Sequence, residues 1–428
     1  MALVIVRNGV THDARVLRAA TTLRLAGFDP VVVGVVTDDA AQRRSVLEGV
    51  PIMRIAPRPP LRDLARRLMG TRDRPRTGHA HPGARAGRPA DPRAGARADE
   101  LTATVAPTLP RRKRLARLAT TADYYRRAIG VVLRARPALV HANDYNTMWV
   151  GVAAKLLVGS RLVYDAHELW PDRNGRWEAR WWLLACEAMF VRLADAVVTA
   201  SPGYAACMAR RYRIPAPAVV RNIPAASERA IEPRVPVTGR PRVVYAGGIL
   251  RGRGLEQTID ALAHIPHVEL ALIGPGSAGY VAELRRRATQ AGVSDRVDFR
   301  APVPPGELIA ALAGACLGLS IIQPVCLSYE LTLPNKVFEY LAAGLPVLVS
   351  DLPVMAAFVA EHGVGEAVAA DDPVAIAAAI DRLTAPAARD ALQRRVTIAA
   401  TTLTWERERE RLLAAYRADV RQQSRRPL

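Results

Sequence analysis

A chain of 428 residues, half of them hydrophobic, is too long for one ordinary core and long enough to bury two. The formal net charge of +20 comes from 60 Lys+Arg against 40 Asp+Glu, nearly all of the cations Arg; with abundant Ala and Pro, that bias matches a GC-rich genome. Cys186, Cys207, Cys316 and Cys326 form no CxxC pair, which excludes a zinc ribbon, and no apolar run reaches the ~18 residues of a membrane span.

Residues 2–7 read as a short buried strand, and the loop 8–13 leads into a helix whose Val16, Leu17, Ala20 and Leu23 recur at helical spacing. Gly27 ends that helix before a second apolar strand over 30–36. Further strands are predicted over 52–55, 138–141, 161–164, 196–199 and 218–221. Continuous apolar strands alternating with helices predict a parallel sheet covered on both faces. The pattern breaks at Pro57. Between residues 57 and 120 stand 16 basic and 5 acidic residues, a local net charge of +11 in about a seventh of the chain. Nucleic-acid recognition would place such charge on folded faces, so no specific nucleic-acid partner is expected. The middle of this insertion, 71–98, reads as mobile, and its flanks, 61–69 and 111–118, as basic amphipathic helices.

Residues 223–240 are polar, contain Pro224, Pro233, Pro236 and Gly239, and suit an interdomain linker. Alternation then resumes, with strands over 243–245, 269–273, 297–299, 317–321 and 347–349. Helices are predicted between them, over 255–263, 280–291, 305–312 and 335–343. A charged amphipathic helix over 405–420 closes the chain. The expected fold class is α/β, with two Rossmann-like domains. The first spans 1–222 with the insertion at about 58–118; the linker is 223–240, the second domain 241–402, and a helix and tail occupy 403–428. With no secretory signal at its start, a reduced cytoplasmic protein is expected.

Two stretches carry chemistry. Tyr245-Ala-Gly247-Gly248-Ile-Leu-Arg251-Gly-Arg253-Gly254 follows a strand and opens a helix. A glycine-rich turn there lets backbone N–H groups approach phosphate, and two arginines add fixed charge. The spacing is not GxGxxG, so a dinucleotide oxidoreductase is not favoured. Further on, Asn335, Lys336 and Glu339 open a helix after Pro334, and Gly344 closes it. A carboxylate there either is solvated or, facing a cleft, accepts two ribose hydroxyl protons.

Together these stretches resemble the nucleotide-binding domain of family 4 retaining glycosyltransferases of the GT-B fold, in the glycogen synthase and phosphorylase-like superfamily. The order and the roughly 90-residue separation match, and Leu272-Ile-Gly274-Pro-Gly276 resembles the family's turn between the two motifs. The composition suits an actinobacterial member. The resemblance implies two domains facing across a cleft and a last helix crossing back to the first. It implies a nucleotide-diphosphate sugar donor, most simply UDP- or GDP-linked, and retention without a metal or other required cofactor. Hexosyl or N-acetylhexosaminyl transfer would go to a hydroxyl on a small natural product or on a cell-envelope lipid or polysaccharide. Catalytic roles are implied for His167, Arg253 and Glu330. The donor-binding set is Gly247, Gly248, Arg251, Arg253, Gly274, Asn335, Lys336 and Glu339, with Thr11 and His12 in place of the family's N-terminal glycine loop.

Two departures stand out. Gly248 replaces a second phosphate-binding arginine, leaving Arg251 or Lys336 to substitute. Leu331 replaces a sugar-side glutamate, with Glu330 one residue away. On the acceptor side are Asp144, whose bland alternative is capping the next helix, and Glu168. The tryptophans at 170, 177, 181 and 182 offer stacking surfaces, but some are expected to anchor a helix over 181–189 in the core. Two competing readings are a nucleotide-sugar 2-epimerase on the same architecture and a non-enzymatic basic scaffold. Within the enzyme reading, the insertion is expected to touch anionic membrane peripherally.

Overall fold

The computed structural model describes residues 1–11, 13–37, 40–56, 111–229 and 239–417. In the first half the elements are β1 (Ala2–Ile5), α1 (Ala14–Leu25), β2 (Pro30–Val35), β3 (Arg44–Leu47), β4 (Val50–Ile55) and α2 (Arg111–Ala135). They continue with β5 (Leu139–Asn143), α3 (Tyr145–Val158), β6 (Arg161–Ala166), α4 (Arg180–Leu193), β7 (Ala196–Thr199), α5 (Pro202–Tyr212) and β8 (Ala218–Val219). The strands form one sheet ordered β3-β4-β2-β1-β5-β6-β7-β8, parallel except where β3 meets β4. That edge hairpin was not predicted, because its strand is polar and half-exposed. Its turn is Glu48-Gly49, both with positive φ, the geometry that joins two strands without splaying them.

Alternate side chains of β1 serve opposite faces, as the two-residue period of a strand requires. Leu3 and Ile5 pack with Tyr124, Val132, Met148 and Phe190 under α2, α3 and α4. Ala2 and Val4 pack with Leu23, Trp405 and Leu412. The basic flank predicted over 111–118 is the start of α2, which runs on to residue 135. The elements expected over 57–110, including the flank 61–69 and the segment 71–98, lie outside the described residues, as do half of the linker and residues 418–428.

The second half comprises β9 (Arg242–Ala246), α6 (Leu255–Ala261), β10 (Glu269–Ile273), α7 (Ala278–Gln290), β11 (Val297–Arg300), α8 (Leu308–Ala311), β12 (Leu317–Ser320) and α9 (Leu327–Glu330). After these come α10 (Asn335–Ala342), β13 (Val347–Ser350), α11 (Pro353–His362), β14 (Gly365–Val368), α12 (Pro373–Thr384), α13 (Pro386–Thr402) and α14 (Trp405–Arg417). Its sheet is parallel throughout, in the order β11-β10-β9-β12-β13-β14. Helices cover both faces, giving one core around Val243, Leu270 and Leu319 and another around Val244, Ile273 and Val349.

The last helix crosses back to the first sheet. Trp405 and Tyr416 of α14 enter the core beside α1, and Oε1 of the buried Glu408 accepts from Nη2 and Nε of Arg221 at 2.6 and 3.0 Å. Of the tryptophans expected to anchor α4, Trp170 is buried in one core with Leu183, Cys186 and Phe190, whereas Trp181 is 71% exposed and Trp182 50%. No helix among the described residues is long and apolar enough to cross a membrane.

Candidate active site

The C-terminal ends of both parallel sheets face one cleft of roughly 370 Å³ with an open mouth, the position where open α/β sheets take ligands. His167, Glu168 and Tyr204 line it from the first half. Gly247, Gly248, Arg253, Tyr329, Asn335, Lys336 and Glu339 are among the lining residues from the second. Contacts at the cleft floor tie the halves together: Ser201 Oγ donates to the Leu331 carbonyl at 2.6 Å and Tyr204 Oη to the Ser328 carbonyl at 2.8 Å.

The second-half wall is built on glycine. At Gly274 a Cβ would stand 2.0 Å from the Gly247 carbonyl oxygen, so only glycine lets the end of β10 lie against the turn after β9. At Gly254, φ is +69° and a Cβ would meet the Ile321 carbonyl at 2.1 Å. The turn is held further by Tyr245 Oη, which donates to the Gly248 carbonyl at 2.6 Å. The Ala246 N–H donates to Tyr340 Oη at 2.8 Å.

Two cations stand over this turn. Arg253 lies on the Tyr329 ring, 4.6 Å from its centroid, and makes no ion pair among the described residues. Lys336 Nζ sits 3.9 Å from the Tyr245 ring centroid. Burial, and then repulsion from Arg253, hold the Lys336 ammonium well below the usual lysine range, with Glu339 acting the other way. Burial raises Glu339 in turn, against the pull of Lys336 and Arg18. Lys336 and Glu339 share a face because they are three residues apart on α10, and Asn335, its first residue, is exposed at the rim.

Arg251 is not brought into the cleft. It pairs with Glu283 on α7, approaches Glu256 at 3.7 Å and lies 4.8 Å from the Tyr280 centroid. Of the two proposed substitutes for the missing arginine, only Lys336 lines the cleft. Glu330 ends α9 and is absent from the lining, although its neighbours Tyr329 and Thr332 are present.

The first-half wall is organised around Asp165 at the end of β6, a residue the sequence reading did not single out. Arg15 approaches its two oxygens at 2.9 and 2.6 Å, His141 Nε2 stands 3.2 Å away and His167 Nε2 3.3 Å away. Burial opposes ionisation of Asp165, but Arg15 and His167 outweigh it and hold the carboxyl well below the carboxylate range. His167 also faces Asp144, 3.6 Å from Nδ1. Burial disfavours its charged ring, yet Asp144 and then Asp165 raise it to about 9, so the ring is an imidazolium at neutral pH. Asp144 itself is pushed up by burial, against His167 and Arg173. It occupies the N-cap position of α3 but makes no side-chain cap, so it stands behind His167 rather than capping.

Glu168 lines the cleft and pairs with Arg173 at 2.8 Å. Trp170 is buried and stacks on Tyr145, with Arg176 4.1 Å from its ring centroid. Thr11 is half-buried and outside the cleft lining, and His12 lies outside the described residues. The tyrosines at 204, 245 and 329 were missed. Tyr245 stood inside the quoted glycine-rich motif and Tyr329 next to Glu330, but an aromatic side chain beside a phosphate-type turn gives no separate sequence signal.

Comparison with known proteins agrees with this architecture. A domain described as glycosyl transferases group 1 matches residues 240–385, and a glycosyl transferase 4-like domain matches 75–225. Comparison with curated protein sequences finds no match. Among solved structures, sucrose-phosphate synthase from Thermosynechococcus elongatus gives a TM-score of 0.72 at 18% identity, covering 97% of this chain and 98% of that one. Anabaena HepE in complex with UDP-glucose gives 0.65 at 16% identity over 97% and 98%. WaaG, a glycosyltransferase involved in lipopolysaccharide biosynthesis, gives 0.61 at 14% identity over 97% and 99%. With both halves matched in order and the cleft built between them, the chain belongs to the GT-B glycosyltransferases of the family 4 type.

Proposed function

We propose that this enzyme moves a hexosyl or N-acetylhexosaminyl group from a UDP- or GDP-linked donor to an acceptor hydroxyl, with retention of anomeric configuration. The observation that carries the reading is the pair of cations, Arg253 and Lys336, standing over a glycine-built turn without a carboxylate in contact. A diphosphate supplies the missing negative charge. Glu339, one turn along α10 from the cleft rim, accepts the ribose hydroxyls. The complexes of Anabaena HepE with UDP and with UDP-glucose support a uridine donor.

In the transfer, the bond from the anomeric carbon to the diphosphate oxygen breaks and its electron pair leaves with the phosphate. The acceptor oxygen bonds the same face of that carbon, and its proton passes to the departing phosphate oxygen. Arg253 and Lys336 stabilise the growing charge, a role in which removing one donor group costs about 3–4 kcal/mol. Because those cations are fixed in the fold, the reading includes turnover without a divalent metal and with no other cofactor. The His167 imidazolium, opposite them, is assigned to the donor sugar. Asp144 is assigned to holding that ring, and Glu168 to the acceptor side. The acceptor is a hydroxyl of a small natural product or of an envelope lipid or polysaccharide, met at the cytoplasmic membrane face.

A thermal-shift screen against UDP-, GDP-, ADP- and TDP-sugars tests the donor. The matching sugar at about 100 times its dissociation constant adds about 2.7 kcal/mol of apparent stability. Arg253→Ala is expected to lower kcat about 10²- to 10³-fold, and Glu339→Gln to weaken donor binding about tenfold. Parental binding and turnover in both variants would end this reading.

A further inference from the structure

The layer formed by α2, α3 and α4 is unlike the rest of the molecular surface. Among the described residues 14 large apolar side chains are exposed, and 8 of them lie on these three helices, which are only 25, 14 and 14 residues long. Trp181 and Trp182 meet edge to face at the start of α4, and Leu115 and Leu118 are 60% and 53% exposed near the start of α2. Helix α3 packs against both α2 and α4, so the three helices form one continuous layer.

The charges on this layer have one sign. On the three helices the only acids are Asp123 and Glu187, both buried; Glu178, just before α4, is partly exposed and faces Arg176 at 3.8 Å. Asp123 accepts from Arg126 and Arg127, and Glu187 from the hydroxyls of Tyr164 and Tyr212. Lys113, Arg114, Arg134, Arg180 and Arg192 are exposed. Beside α2 a cavity is lined by Arg43, Arg54, Arg126, Arg127 and Arg134, with no acid in its lining. Arg54 is committed to Gly9, Gln42 and Ser45. Arg43 and Arg134 make no ion pair among the described residues.

We propose that the outer face of α2, α3 and α4 docks on an anionic lipid surface. Exposed aromatic rings with a polar edge suit the headgroup level of a bilayer, and arginine suits lipid phosphate. Apolar and cationic side chains on one face, with acids withdrawn, are what interfacial binding requires. A second copy of the chain fits less well, because a two-fold contact would set this cationic face against itself. The surface takes in residues 111–118, the end of the insertion to which the sequence assigned membrane contact, and extends across α3 and α4. It also bears on the acceptor: α2 leads into β5 and α4 follows β6, so both helices begin at the sheet edge that carries His167 and Glu168. A docked membrane would therefore lie beside the acceptor side of the cleft. That consequence rests on the proposed glycosyl transfer; the docking does not.

The test is co-sedimentation of the full chain with phosphatidylcholine vesicles with and without one-third phosphatidylglycerol. Binding is expected to the anionic vesicles and to fall steeply as salt rises. The double variant Trp181→Ala/Trp182→Ala is expected to lose about tenfold or more in partition, while its thermal shift with a donor sugar stays as in the parent. A second variant, Lys113→Glu/Arg114→Glu, lowers binding without touching an apolar residue. Absence of the parent from the vesicle pellet overturns the proposal. So does parental binding by the tryptophan variant, including the case in which deleting 71–98 alone abolishes it. Vesicle binding by a protein that takes no nucleotide sugar would overturn the proposed transfer and leave the docking standing.

Discussion

The two walls of the cleft handle charge in opposite ways. On the second-half wall Arg253 and Lys336 rest on tyrosine rings, and the one nearby carboxylate, Glu339, is half-buried beside Lys336. On the first-half wall every cation has a carboxylate: Arg15 and His167 share Asp165, His167 also faces Asp144, and Arg173 holds Glu168. A charge left on an aromatic face is available to a ligand, whereas a charge closed into a buried network fixes geometry. Substitutions on the two walls should therefore fail differently.

The largest stability effect is expected at Asp165. Asp165→Asn removes the only carboxylate that touches the buried Arg15 among the described residues and leaves that guanidinium uncompensated, a change that costs about 3–5 kcal/mol. Urea denaturation measures it. Arg253→Ala, by contrast, forfeits only a contact with the Tyr329 face and should keep nearly parental stability while losing turnover. Equal losses of stability in the two variants would erase the distinction between the walls.

The parallel sheets were legible because their strands are apolar on both sides, and a run such as 30–35 reads as strand without help from its neighbours. Helix α3 was expected after Asp144 but given no bounds: it is apolar almost all round, so no periodic contrast marks its extent. Spacing alone does not separate Arg251 from Arg253, two residues apart on one turn; only the family resemblance favoured Arg253. The fold separates them by what lies beside each, Glu283 on α7 for one and Tyr329 for the other. Asp165 was hidden for a related reason. Its partners Arg15 and His141 are 150 and 24 residues away, and only the parallel pairing of β1, β5 and β6 brings them together.

A smaller effect should come from pH. The folded His167 value, about 9, lies above the ordinary 6.5 because Asp144 and Asp165 outweigh burial. Stability from this ring is therefore complete below about pH 6.5 and declines as pH rises through 9, by no more than about 3 kcal/mol. Denaturation midpoints of the parent and His167→Gln across pH 6 to 9.5 should converge as pH rises. A difference that stays constant over that range would mean the ring is not held as a cation.

The smallest effect tests how far the first-half network reaches. Tyr416 in the last turn of α14 is buried, and its hydroxyl stands 3.0 Å from His141 Nδ1, while His141 Nε2 faces Asp165. In the neutral ring, an Nε2–H donated to Asp165 leaves Nδ1 to accept from the Tyr416 hydroxyl. Tyr416→Phe keeps the ring in the core and deletes that one neutral bond, leaving a buried nitrogen without a partner, so a loss of about 1–2 kcal/mol is expected. Turnover should change little, because Asp165 still holds His167 directly at 3.3 Å. A Tyr416→Phe variant as unstable as Asp165→Asn would show that the C-terminal helix and the cleft histidine belong to one cooperative unit. The contrast between the walls would then describe the whole first half of the chain and the helix that crosses back to it.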